Sequence, residues 1–420
     1  RRLLLLALIL LDLLLKRGLR VGTGRLPRRR VLLDLNGLRT RLWRALARWD
    51  AQTGDKSSRQ LAAKVARFMT KRGPWGSTAE GPSMADSYEH ARWQGHFHWF
   101  ATGVVGLADY ATTTNDVQLL RYLKSYYEYS RQFGIVRIGF FPAVVTPLAQ
   151  RRSASQKIYG GPGQNDEGCA LVDMLDIALM LSEAGVGDYW DDIDSMVRNH
   201  LVEHQMLDRK RLKHIVSHSP KSEMRPEINN TENVIERNIG AFASCAEPTK
   251  MYAWWTMCCN ANMMLAIHKA WDAIVRFDNG LAQVNLLLNR VSPWVDIDSH
   301  LPYEGRVVIK VKAARSVAVR MPGWVHIDRV RTPLDGNDVR PLLAGRYLTL
   351  DSLRPDQRIE LEFDVPTDSA SYLVPGLPSG RFDVTFRGST AMSVKNEVDM
   401  SEDKLKTTYL LYQRDHLKKD

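Results

Sequence analysis

The chain carries two patterns of apolar residues, and the first is helical. From about residue 32 to residue 276, apolar residues recur at every third or fourth position, which is the period of an amphipathic helix. In the stretch from Leu119 to Phe133 they form one wide face, with Asn115 and Asp116 as capping residues and Gly134 as a stop. Two further helices are predicted, from Leu171 to Leu181 and from Asp188 to Gln205.

The second pattern begins near Leu281, where β-branched residues alternate with polar ones. Such alternation is typical of half-buried strands. Turn sequences, among them Asp335-Gly336-Asn337, separate the alternating stretches, and short strands joined by tight turns favour an antiparallel sandwich over a parallel sheet. The predicted strands run from Arg306 to Lys312, from Ser316 to Met321, from Arg358 to Phe363 and from Arg381 to Arg387.

The change of pattern divides the chain near Asp278-Asn279-Gly280. A length of 420 residues also favours two domains, because one hydrophobic core rarely supports so long a chain. From Asp399 the sequence is polar and charged, which predicts a loosely held tail. The predicted division is a basic and apolar segment over residues 1–30, a helical domain over 31–278, a β-sandwich domain over 279–398 and a polar tail over 399–420.

The composition is that of a folded protein, since 44% of the residues are apolar and 25% are charged. The formal net charge of +11 has much of its excess near the start of the chain, and elsewhere the signs are mixed. No long basic run with interleaved aromatic residues follows, and no zinc-finger or RNA-binding signature is present. The sequence therefore predicts no nucleic-acid partner, and it does not determine the oligomeric state.

The apolar run from Leu3 to Leu15 follows two arginines and is too short to span a bilayer, so no integral membrane span is predicted. Asp12 interrupts the run, and no small-x-small cleavage site follows it. It is interpreted either as a first helix or as a remnant of a signal sequence. Thiolate metal ligands would favour the cytoplasm, whereas a signal remnant would indicate an exported or periplasmic protein.

The cysteine content is small, which excludes a disulfide-rich scaffold. The chain has four cysteines, of which Cys258 and Cys259 are adjacent, and this arrangement suits a metal site better than a disulfide framework. The alternatives are a closed structural metal site or plain buried thiols, because free cysteine is among the most buried residue types. Cys245 matches no motif and is interpreted as a buried small residue.

Three motifs resemble glycoside hydrolase family 127, the β-L-arabinofuranosidase-like enzymes. The first is Glu167-Gly168-Cys169 ahead of a long predicted helix, the second is Cys258-Cys259-Asn260-Ala261-Asn262, and the third is the strand Val317–Arg320 running into Met321-Pro322-Gly323-Trp324. The pairing of E-x-C with a later adjacent cysteine pair, ahead of a β region, is the most specific element. The resemblance implies a helical (α/α) barrel followed by an antiparallel β-sandwich.

The resemblance also implies a site and a reaction. It implies that one Zn²⁺ is bound by Glu167, Cys169, Cys258 and Cys259, with Cys258 as the nucleophile of a retaining hydrolysis of β-L-arabinofuranosides or a related glycan. Three thiolates and a carboxylate are a ligand set that tetrahedral zinc accepts, and thiolate is the nucleophilic form of cysteine. A carbohydrate is therefore the expected partner, and the predicted sugar contacts are His96, Trp254 and Asn262.

The chain departs from the family pattern at the general acid/base. The resemblance implies a glutamate shortly before E-x-C, but the window from Arg151 to Asn165 contains neither Glu nor Asp. The acid/base is therefore left unassigned, and a non-hydrolytic or altered-chemistry carbohydrate-binding protein that keeps the zinc site is the alternative. A third hypothesis is an interaction module that uses zinc only for folding. Substitute carboxylates are Asp166, Glu232, Glu236 and Glu247, each of which can equally be a surface or capping residue.

Overall fold

The computed structural model describes residues 45–70, 95–145, 166–220, 227, 230, 232–251, 258–374, 380–396 and 401–414. Within these ranges helices predominate up to residue 273 and strands after it, so the predicted mixture of helices and antiparallel sheets is confirmed. None of the helices so described is both long and apolar enough to cross a bilayer.

The helices agree with the predicted periodicity at several positions. The predicted Leu119 helix begins at Val117, and the Asp116 carboxylate caps it by accepting the Leu119 N–H at 3.0 Å. The helices with bounds in the described ranges are residues 45–53, Lys56–Met69, Phe97–Thr114, Val117–Ser130, Gly168–Glu183, Trp190–Met196, Arg209–His218, Val234–Asn238, Cys258–Ala273 and Glu402–Thr407, with short 3₁₀ turns at Arg131–Phe133 and Ile327–Arg329.

The helix predicted from Asp188 to Gln205 is not continuous. It begins at Trp190 and passes into a π-helical segment, Val197–Leu201, in which Asn199 has non-helical φ and ψ of −116° and −105°. The buried Asn199 amide donates to the carbonyls of Arg137 and Ser389 at 2.9 and 2.8 Å. Contacts with distant parts of the chain thus replace the regular helical pattern here, which the local sequence does not reveal.

Two larger sheets form the C-terminal part. Their alternate apolar residues belong to one buried cluster, as expected for two sheets packed face to face. In neighbour order, one sheet contains Asn337–Asp338, Pro333–Leu334, Arg358–Glu362, Arg306–Val311, Val295–Ser299 and Arg290–Val291, and the other contains Leu342–Ala344, Tyr347–Leu350, Ser316–Arg320, Leu281–Val284 and Val275–Asp278.

The second of these sheets is mixed rather than wholly antiparallel. Ser316–Arg320 pairs in parallel with Leu281–Val284, whereas the other strand pairs of both sheets are antiparallel. The sequence Asn279-Gly280, which we expected to mark the domain boundary, is instead a hairpin turn within this sheet, with φ of 49° and 91°. Both residues adopt positive φ, as a type I′ turn requires.

Three smaller sheets complete the described structure. The first joins Thr367–Leu373, Arg381–Arg387 and Thr390–Asn396; the second joins Tyr409–Leu410, Lys250–Met251, Cys245–Glu247 and Asp166–Glu167; the third pairs Gly95–His96 with Val144–Val145.

The prediction of a loose polar tail from Asp399 is wrong for residues 401–414. Tyr409–Leu410 pairs with Lys250–Met251, and Leu411 and Tyr412 are buried in an apolar cluster beneath it. The Arg414 guanidinium binds the Glu203 carboxylate at 2.6 Å and is itself buried. A segment that gains a strand partner and a buried ion pair needs few apolar residues to hold it in place. Its polar composition therefore does not indicate that it is loosely held.

The third motif joins the two parts of the molecule. Arg320, at the end of its strand, is buried and donates to the Asp188 and Asp191 carboxylates at 2.9 and 2.8 Å. Asp191 also accepts the Gly323 N–H at 3.1 Å, and a Cβ at Gly323 would lie 2.7 Å from its Oδ2. The glycine is therefore needed for the close approach. The Trp324 indole donates to Ser389 Oγ at 3.0 Å.

Candidate metal centre

Two helix N-termini bring the sequence-predicted ligands together. Glu167 ends the strand Asp166–Glu167, Gly168 opens the helix that carries Cys169, and Cys258 and Cys259 form the first turn of Cys258–Ala273. A Cβ at Gly168 would lie 1.8 Å from Met263 Cε and 3.5 Å from Cys259 Cβ. Glycine at the middle of Glu167-Gly168-Cys169 thus lets the two helices approach closely.

The three thiols form a compact cluster with a carboxylate beside it. Cys169 Sγ lies 3.0 Å from Cys259 Sγ and 3.7 Å from Cys258 Sγ, and Glu167 Oε1 lies 4.0 Å from Cys259 Sγ. All four ligand atoms lie within 4.8 Å of one another. These sulfurs are too far apart for a disulfide bond, and all of the cysteines are free.

The thiols of the metal-free cluster are weakly acidic. Hydrogen bonds with Cys258 and Cys259 raise the pKa of the Cys169 thiol far above its ordinary range, and burial raises it further. The hydrogen bond to Cys169 lowers the pKa of Cys259, but contact with Cys258 and burial raise it more. A dication in contact with the sulfurs would reverse this effect and hold them as thiolates.

The residues fit zinc. Sulfur atoms bound to one tetrahedral zinc at about 2.3 Å lie about 3.8 Å apart. The sulfurs of Cys169 and Cys258 are already 3.7 Å apart, whereas those of Cys169 and Cys259, at 3.0 Å, would have to move apart on binding. Glu167, Cys169 and Cys259 are buried, whereas Cys258 is exposed. Three ligands are therefore enclosed, and the thiol predicted as nucleophile is the one that solvent or a substrate can reach.

Of the predicted sugar contacts, only Asn262 has a described side chain. Its amide donates to Cys169 Sγ at 3.1 Å, so it orients a thiol of the cluster. His96 lies in the strand Gly95–His96, but its side chain lies outside the described part, as does the whole of Trp254. Cys245 is buried opposite Glu167 in the paired strand, in agreement with a structural role.

His98 and Asp173 were not predicted as site residues. The buried His98 Nδ1 lies 2.6 Å from the buried Asp173 Oδ2. Burial lowers the pKa of His98, but Asp173 raises it more, and with the charges of Glu167 and Cys258 the pKa is raised to about 9. The signal was Asp173 itself, a carboxylate one turn after Cys169 in an otherwise apolar helix, since buried carboxylates are nearly always paired.

The substitute acid/base carboxylates have other contacts. Asp166 is fully buried beside two histidines, and Glu247 is buried and pairs with Lys250 at 2.9 Å. Glu236 is exposed and pairs with Arg209, and Glu232 is exposed. None of the four belongs to the cysteine cluster. The window from Arg151 to Asn165 lies outside the described residues.

Comparison with known proteins gives matches among solved structures. No protein family matches the chain, and no curated protein matches it. A glycoside hydrolase family 127 β-L-arabinofuranosidase from Geobacillus stearothermophilus T6 is 14% identical with a TM-score of 0.52, over 83% of this chain and 57% of that one. A second structure, described as a glycoside hydrolase, is 14% identical with a TM-score of 0.56, over 88% of this chain and 62% of that one. A third, a family 127 β-arabinofuranosidase, is 15% identical with a TM-score of 0.56, over 83% of this chain and 55% of that one.

This chain thus spans less than two thirds of the length of each of these proteins. At such low identity the similarity concerns the fold. The resemblance inferred from three short motifs is confirmed at that level: the chain has the fold seen in β-arabinofuranosidases of glycoside hydrolase family 127.

Proposed function

We propose that this chain is a zinc-dependent glycoside hydrolase that uses Cys258 as its nucleophile, acts with retention, and takes β-L-arabinofuranosides or a related glycan. The observation that carries the proposal is the convergence of Glu167, Cys169, Cys258 and Cys259, with only Cys258 exposed. The fold shared with β-arabinofuranosidases supports the substrate class.

The chain supplies most of the chemistry of the first step. When bound to the four ligands, zinc would lower the thiol pKa values and so hold the sulfurs as thiolates. Cys258 lies at a helix N-terminus, where the helix dipole also favours negative charge on sulfur. The Cys258 sulfur donates an electron pair to the anomeric carbon, the bond from that carbon to the leaving oxygen breaks, and a thioglycoside forms. Water then attacks the same carbon and gives up a proton, the carbon–sulfur bond breaks, and the sulfur returns as thiolate.

His98 would assist this step electrostatically. The His98 imidazole pairs with the Asp173 carboxylate at 2.6 Å, and in the metal-free chain this carboxylate and the charges of Glu167 and Cys258 raise its pKa to about 9. By the same interaction, protonated His98 favours the thiolate form of Cys258. The group that protonates the leaving oxygen is not assigned among the described residues.

The missing loop glutamate favours one second candidate function, a carbohydrate-binding relative that keeps the zinc but does not hydrolyse.

We also infer that the helical part is an (α/α) barrel carrying the site and that the sandwich braces it. Four free thiols fit a reducing compartment, so we propose a cytoplasmic location, which cell fractionation would test.

The test is turnover of a panel of aryl glycosides, led by the β-L-arabinofuranoside, by the zinc-loaded chain. We expect turnover that falls about 10⁴-fold or more in Cys258→Ala, as for other enzymes that lose a nucleophile. The matched control is Cys245→Ala, which removes a buried thiol outside the cluster and should keep activity. Absence of turnover on every glycoside, together with a sugar that raises the melting temperature, would replace hydrolysis with the binding function.

A further inference from the structure

A second cluster of ligand-type side chains lies on the other face of the same short strand. Successive side chains of a strand point to opposite faces, so Glu167 faces the cysteines while Asp166 faces His200 and His204. Asp166 Oδ2 lies 3.2 Å from Nε2 of each histidine. All three side chains are fully buried.

Hydrogen bonds satisfy this cluster only in part. Asp166 Oδ1 and His200 Nε2 have no hydrogen-bond partner among the described residues, although the latter lies near Asp166 Oδ2. His204 Nδ1 lies 2.8 Å from the Ala243 carbonyl, which can only accept, so the ring proton of a neutral His204 is at Nδ1. A neutral His204 would then turn the Nε2 lone pair toward Asp166 Oδ2, so the 3.2 Å contact requires either an imidazolium that donates to the carboxylate or a cation bound between the two atoms.

The ring orientations are those of metal ligands. A histidine that binds a metal usually makes a hydrogen bond through its other nitrogen, which fixes the ring. His204 does so with the Ala243 carbonyl, and His200 Nδ1 lies 3.3 Å from the Tyr412 hydroxyl.

The backbone brings the two histidines to the same side. His200 lies in the π-helical segment Val197–Leu201, and His204 follows one turn later, with its N–H bonded to the His200 carbonyl. Ligand atoms bound to one tetrahedral zinc through nitrogen and oxygen lie about 3.3 Å apart, close to the two measured separations of 3.2 Å.

We propose that Asp166, His200 and His204 form a second, buried zinc site, separate from the cysteine centre and built of one oxygen and two nitrogen ligands. Its role is structural. The ion fastens the strand Asp166–Glu167 to the π-helical segment, and through that strand it fixes the backbone of Glu167.

The test is the zinc content of the full chain by elemental mass spectrometry after zinc loading and dialysis. The wild type should hold two zinc ions, and Asp166→Asn and His204→Gln should each hold one. These substitutions conserve volume and polarity. The Cys258→Ser/Cys259→Ser variant should also hold one. His214→Gln is the matched control, because His214 and His218 are exposed one helical turn apart and report adventitious surface binding.

Cobalt substitution separates this proposal from the proposed function. Thiolate ligands give cobalt a sulfur-to-metal charge-transfer band, which the Asp166→Asn variant should keep and the cysteine variant should lose. One zinc in the wild type and none in the cysteine variant would overturn the second site, even if every Asp166 variant misfolds. Zinc retained by the cysteine variant and lost in His204→Gln, with no thiolate band in the wild type, would support this site and reject the cysteine centre.

Discussion

The buried guanidinium that joins the helical and β parts gives a quantitative prediction. The variant Arg320→Met replaces the charged guanidinium with an apolar side chain of similar length. In the structure Arg320 makes three N–H···O contacts of 2.8 to 3.2 Å with Asp188 and Asp191. Its side chain is 3% exposed, whereas those of the two aspartates are 53% and 39% exposed.

The exposure of the carboxylates sets the magnitude. Breaking a fully buried pair costs about 3–5 kcal/mol because a charge is left without water or partner. Here water can reach both carboxylates once Arg320 is gone, so the loss is that of the charged hydrogen bonds, at about 1.5–3 kcal/mol in all. We therefore expect Arg320→Met to lower the free energy of unfolding by about 2–3 kcal/mol.

Arg331→Met is the matched control. Arg331 also binds two carboxylates, Asp338 and Glu362, at 3.0 and 2.7 Å, but its side chain is 62% exposed. An exposed pair of this kind is worth about 0–1 kcal/mol and weakens with salt. Urea unfolding followed by circular dichroism measures both variants. Equal losses in the two variants would refute the reasoning, because the geometry is similar and only burial differs.

Three further predictions concern the tail, the histidine pair and the glycine between the helices. Truncation after residue 400 removes three buried apolar side chains and the buried Arg414, and it should cost about 5 kcal/mol or more, so the shortened chain should be largely unfolded in circular dichroism. In chelator-treated protein, the raised pKa of His98, about 9, gives stability that is full below pH 6.5 and lost as the pH rises through 9. The change is about 3 kcal/mol, and urea unfolding at pH 6 and pH 9.5 should show it in the wild type and not in Asp173→Asn. Gly168→Ala should cost about 1–2 kcal/mol and lower the zinc content of the cysteine centre, and Met263→Ala in the same chain should restore it.

Local signals explain how much of the fold the sequence predicts. The strands predicted at Arg306, Ser316 and Arg358 each end within one residue of the observed strand, and that at Arg381 matches it. The alternation of apolar and polar residues and the turn residues are local features of the sequence, so the strands that they predict do not depend on distant contacts. The four residues that converge in the cysteine cluster were also singled out from the sequence, because each lies in a short motif.

Features that depend on distant contacts were not predicted. The parallel pairing of Ser316–Arg320 with Leu281–Val284 joins strands more than thirty residues apart. The irregular backbone at Asn199 is accompanied by bonds to residues 62 and 190 positions away. His98 meets Asp173 across 75 residues. No property of the local sequence records such pairs, since they arise only when the helices and sheets pack.

The strand Asp166–Glu167 shows how two adjacent acidic residues come to lie in two different clusters. A two-residue strand has too few hydrogen bonds to hold its own position, and it is fixed by pairing with Cys245–Glu247 on one edge and bridging to Pro142 on the other. Because side chains alternate across a strand, the pairing that turns Glu167 toward the thiols turns Asp166 toward the histidines. A shift of one residue would exchange the two carboxylates between the clusters. The position of Glu167 beside the cysteines therefore depends on what holds Asp166 from behind.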